Sequence, residues 1–77
     1  MAPTWESRFE ALHPLTVLGP GYHRGVAEAL RDARLFADRG ELEAAEHYLL
    51  VAEYRAGAIA FDEFGHLDPF MNQRRPQ

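Results

Sequence analysis

The stretch GELEAAEHYLLVAEYRAGAIAFDEF, residues 40–64, decides the fold. It reads as one long helix with more apolar residues than a single buried face needs. One stripe, at about 100° per residue, holds Leu42, Ala45, Leu49, Ala52, Ala56, Ile59 and Ala60. A second lies on another side and holds Leu50, Val51, Tyr54, Ala58 and Phe61, with His47 at its edge. A helix apolar on two sides should be buried on two sides, so the question is what covers each. Gly57 marks a point where this helix can kink or break.

The residues upstream supply one cover. The sequence predicts a second helix from Tyr22 or Arg24 to Asp38, with Tyr22, Val26, Ala29, Leu30, Ala33, Phe36 and Ala37 on one stripe. Gly40 closes it, because glycine takes a positive φ without steric cost, and Glu41 and Glu43 begin the next helix where the dipole favours negative charge. A tight hairpin follows, its two stripes meeting through small residues. Further upstream, Thr4 caps a short helix that presents Trp5, Phe9 and Leu12 on one face and ends at Pro14. The segment LTVLGPGYHRG, residues 15–25, is a turn that delivers the chain to the second helix.

With 77 residues the chain is one domain with a small core, drawn at 1–70, and a disordered tail is expected over 71–77. Having no cysteine, it can use neither disulfides nor thiolate metal sites. Twelve acidic against eight basic residues leave a net charge of −4, the wrong sign for a protein that wraps phosphate backbones. All eight basic residues are arginine, the cation favoured at interfaces. No signal segment or spanning helix is evident, so the expectation is a cytoplasmic protein with no membrane association.

Two covers compete for the second stripe. Either helix one or the tail residues Phe70 and Met71 fold back over it, or it meets its copy across a two-fold axis. The expectation is the homodimer, because so small a core leaves no large apolar residue to spare for water.

Residues 26–59 resemble a single tetratricopeptide-type helical hairpin, with Ala33 and Phe36 at its small and aromatic positions, Gly40 at the turn, and Ala45, Leu49 and Ala52 on the second helix. That resemblance implies a protein-binding helical unit, although a stacked array needs about three repeats and this chain holds one. The run AEALRDARLFADRGELEAAEHYLLVAEYRAGA is also similar to HEPN domains, helical modules that often dimerise and sometimes cleave RNA. Their ribonucleases use an Arg and a His four to six residues apart on a late helix. Here only Arg8 and His13 have that spacing, on the first helix. A third likeness, through Tyr22, DARLF and Gly40, is to an archaeal helical family of unknown function.

Chemistry is sparse. Glu43 and His47 lie one turn apart, and Asp62, Glu63, His66 and Asp68 cluster near the end, so a carboxylate and histidine metal bundle is one alternative. Solvated charges at a helix end are the simpler reading, and neither metal nor cofactor is expected. The glycines of GPGYHRG follow no strand, which makes a plain turn the better reading than a phosphate cradle. Glu53 projects close to the first stripe and needs a cation such as Arg34 or Arg55, or an arginine from a second subunit, unless it reaches water. The expectation is therefore an all-α helical hairpin with a short N-terminal helix, a small bundle that dimerises through its long third helix. It would act as an adaptor or stoichiometric inhibitor of another protein, with Trp5, Phe9, Leu50, Val51, Tyr54 and Phe61 as partner-binding residues. A HEPN-like RNA-directed enzyme, or its inactive relative, stands as the other alternative.

Overall fold

A computed structural model describes residues 3–17 and 23–72, and these are all-helical. Helix α1 spans Trp5–Leu12 and runs into a 3-10 turn, His13–Thr16; α2 spans Arg24–Asp38, α3 Leu42–Arg55, α4 Phe61–Leu67 and α5 Pro69–Asn72. The start of α2 falls at the second of the two expected positions, while Tyr22, most of the glycine turn and the expected tail from 73 lie outside the described residues. Helical backbone in α5 continues to Asn72, past the domain edge drawn at 70.

Local chemistry sets these boundaries. The Thr4 side chain accepts from Ser7 N at 3.1 Å, satisfying an orphan donor of α1. At the start of α2 an imidazole does the same work, His23 Nδ1 accepting from Val26 N at 3.3 Å. Gly40, at φ 77°, ends α2 in a Schellman motif: its N–H bonds Ala37 O and the N–H of Glu41 bonds Phe36 O.

The same motif recurs at the end of α3 and corrects the single long helix expected over 40–64. Gly57, at φ 79°, donates its N–H to Tyr54 O, and Ala58 donates to Glu53 O. The helix therefore stops at Arg55. Ile59 and Ala60 leave the first stripe, and Phe61 opens α4 in a new direction.

Helix α3 is the central element. Val26, Ala29, Leu30 and Ala33 of α2 pack with Leu49 and Ala52 of α3 and Leu12 of α1 into one core, flanked by Trp5, Phe9, Tyr48 and Val51. Alanines at three of these seven positions let the backbones approach closely, as the sequence implied. Leu42 departs from the expectation. It stands at the first position of α3, shares a hollow with Ala37 and Asp38 at the end of α2, and is 71% exposed.

The second stripe finds part of its cover within the chain. Helices α4 and α5 fold back on α3, where His47 stacks on Phe70 with ring centroids 4.6 Å apart and Tyr54 meets Phe64 at 5.8 Å. Leu50 lies between His47 and Tyr54 on that flank and is 1% exposed. It stands apart from the core shared by α1, α2 and α3, on the flank of α3 where α4 and α5 pack. The corner at Tyr54 and Phe61 stays open.

Candidate protein-docking surfaces

Each helix pair is held by a polar clamp at its edge, and these clamps fix which apolar side chains are left outward. On the first flank, Arg8 of α1 reaches α3 and donates Nε and NH2 to Glu53 at 3.0 and 2.7 Å, and NH1 to Glu46 at 3.0 Å. Hydrogen bonding to Glu53, and then to Glu46, raises the Arg8 guanidinium above its usual range against the opposing effect of burial. Neither Arg34 nor Arg55 neutralises Glu53. Arg34 instead forks onto Glu6 at 2.9 and 3.2 Å and lies over the Phe9 ring, while Arg55 donates to Gly25 O at 2.9 Å and closes the far end of the hairpin.

All three guanidinium nitrogens of Arg8 are engaged with carboxylates, and His13 sits exposed in the 3-10 turn. Arg8 thereby ties α1 to α3.

On the second flank, Asp68 is 2% exposed, and its carboxylate accepts from His47 Nδ1 at 3.0 Å and from Phe70 N at 3.2 Å. The second bond is an Asx turn, the local signature of an Asp-Pro step after a helix. Among the described residues, no group of three or more His, Asp or Glu side chains converges as a metal site. Of the carboxylates and histidines grouped in the sequence, Asp68 and His47 meet, and they pin the C-terminal helices onto α3.

The six partner-binding candidates divide between these flanks. Trp5 and Phe9 stack at 5.3 Å, and both are half-buried under Arg34, with the indole N–H aimed at Ala45 O at 3.4 Å. Val51 packs against the core, and Leu50 offers no side-chain surface. Tyr54 and Phe61 are brought together at 5.8 Å and remain 41% and 67% exposed. Leu42 was placed in the core stripe by its spacing, and the structure leaves it exposed at the first position of α3. Nothing in the sequence connects His47 with Asp68.

No family model matches the chain, and no curated protein or solved structure was found to be similar to it. No helix among the described residues is long and apolar enough to cross a membrane.

Proposed function

We propose that this protein is an interaction module that works by stoichiometric binding and self-associates at the corner between α3 and α4. The observation that supports this reading is the pair Tyr54 and Phe61, two aromatic rings in contact and turned to solvent in a chain with few large side chains to spend. Aromatic side chains carry a disproportionate share of interface energy, and paired rings on a rigid turn lose little entropy on docking. A second copy is the occupant the corner suits. Its sequence neighbours Arg55, Asp62 and Glu63 carry both signs, so a two-fold pairing can match opposite charges. The Schellman turn at Gly57 replaces the long third helix as the feature that presents this surface.

Light scattering on the full chain tests the reading. The wild type should have twice the 8.8 kDa monomer mass at micromolar concentration. Phe61→Glu, at an exposed position, should return a folded monomer, while Leu35→Glu on the back of α2 should leave the mass unchanged. A wild type that stays monomeric at millimolar concentration ends the proposal.

A further inference from the structure

The α2–α3 turn carries a surface of a different kind, independent of the Tyr54–Phe61 corner. Between α1 and the hairpin lies a groove of about 440 Å³ lined by apolar Trp5, Ala37 and Ala45 and by acidic Glu6, Asp38 and Glu46. Beside it is a second hollow of about 430 Å³ formed by Gly40, Ala44 and Phe70, with Glu41 and Glu43 at the rim. Leu42 lines both and stands 71% exposed between them. It is the most exposed large apolar side chain among the described residues.

The charged residues lining the two hollows are mostly acidic. Five carboxylates line the two hollows, and the single cation in that lining is Arg34. Arg34 is committed to Glu6, and Glu46 to Arg8. Asp38, Glu41 and Glu43 form no salt bridge among the described residues. Meeting its own copy face to face, this surface would set like charges against each other, which costs several kcal/mol in a close interface.

We infer that the Leu42 face binds a basic amphipathic segment of another protein. The apolar side chains of that segment occupy the hollows on either side of Leu42, and its Arg or Lys residues meet Asp38, Glu41 and Glu43. Apolar insertion supplies the affinity, while the carboxylate rim supplies the encounter rate and rejects acidic segments. The hollows have the size of a small-ligand site, yet they are open and shallow enough to suit side chains projecting from a helix.

The probe is a fluorescein-labelled synthetic helix of about four turns, leucine on one face and arginine on the other, titrated with the full chain by anisotropy. Two control peptides replace every arginine by glutamate, or every leucine by alanine. The Leu/Arg peptide should bind and shift the emission of Trp5, the only tryptophan. Each control should bind at least about tenfold more weakly, a difference of about 1.4 kcal/mol. Leu42→Ser should also weaken binding about tenfold, and Asp38→Asn with Glu41→Gln and Glu43→Gln should flatten its salt dependence. Circular dichroism checks that these surface variants stay folded, and Phe61→Glu should bind the peptide as the wild type does.

Equal binding of the alanine control would reduce the face to a general charge effect and overturn the inference. So would binding indifferent to Leu42→Ser, or no binding of the Leu/Arg peptide below millimolar. If Leu42→Ser halves the mass in light scattering, the occupant is a second copy and the inference also falls.

Discussion

Arg8 and Glu53, 45 residues apart, form a two-pronged pair in which Nε and NH2 of the guanidinium meet both carboxylate oxygens. The pair sits at the α1–α3 seam with side chains only 22% and 14% exposed, so its partners are largely removed from water. Removing one member leaves the other charged and poorly solvated.

Arg8→Ala should therefore destabilise the fold by about 2–3 kcal/mol in urea denaturation. Arg8→Lys should recover little, because an ammonium cannot form both bonds of the fork. The double change Arg8→Met with Glu53→Leu should return to within about 1 kcal/mol of the wild type, since a packed apolar pair can replace a buried ion pair. Equal losses in the single and double variants would show that packing at the seam, and not charge pairing, holds α1 in place.

Gly57 offers a test of the break in the third helix. Its φ of 79° lies in the left-handed region, and a Cβ there would meet nothing within 4 Å. The cost of Gly57→Ala is thus conformational and should be about 1–2 kcal/mol. Gly65, inside α4, is the contrast, since its Cβ would make an ordinary 3.7 Å contact with the Met71 sulfur. Gly65→Ala should stabilise by up to about 1 kcal/mol through helix propensity. Similar thermal shifts for the two variants would contradict the turn geometry at 57.

The C-terminal helices have their own latch. Asp68 is buried and holds both His47 and the Phe70 N–H, so Asp68→Ala removes two bonds at once and should cost about 2 kcal/mol. Amide exchange tells where the loss falls. Protection in α4 and around Leu50 should drop while the α2 core keeps its slow amides. Asp68→Asn, which retains an acceptor, should lose less. A uniform change across all helices would mean that the C-terminal pair has no separate stability.

The parts of the fold legible in the sequence are those whose cause is local. Thr4 as a cap, Gly40 as a C-terminal stop and the α2 stripe each depend on residues within a turn or two, and the structure shows all three. Gly57 has the same chemistry as Gly40 and was marked as a possible kink or break, but apolar spacing that continues to Phe61 favoured one long helix. The cover over Leu50 was harder to see because α4 and α5 have only seven and four residues, too short for a period to show. The Arg8–Glu53 and His47–Asp68 pairs join residues 45 and 21 positions apart, and a single sequence offers no signal for such matches. For the surface, periodicity found the rings at 54 and 61 but assigned Leu42 to the core, since spacing gives a direction around a helix and not what covers it.

Acid should weaken the clamp between α1 and α2 only once the pH falls below the ordinary carboxyl range. Hydrogen bonding from Arg34, reinforced by its charge, holds the Glu6 carboxyl below its ordinary value of 4.5, so in the window just under that pH the folded chain binds fewer protons than the unfolded one. The contribution of Glu6 is therefore fully present above pH 4.5 and is lost as pH falls through the lower, folded value. Glu6→Gln removes this dependence without removing the side chain. The wild type should be slightly more stable than Glu6→Gln at neutral pH, and the two should converge below the folded value, where both carry a neutral group. Trp5 emission reports the transition directly, because its ring lies 5.2 Å from the Arg34 guanidinium carbon. A stability difference constant from pH 7 to pH 2 would show that the clamp works by shape alone and that its charge contributes nothing.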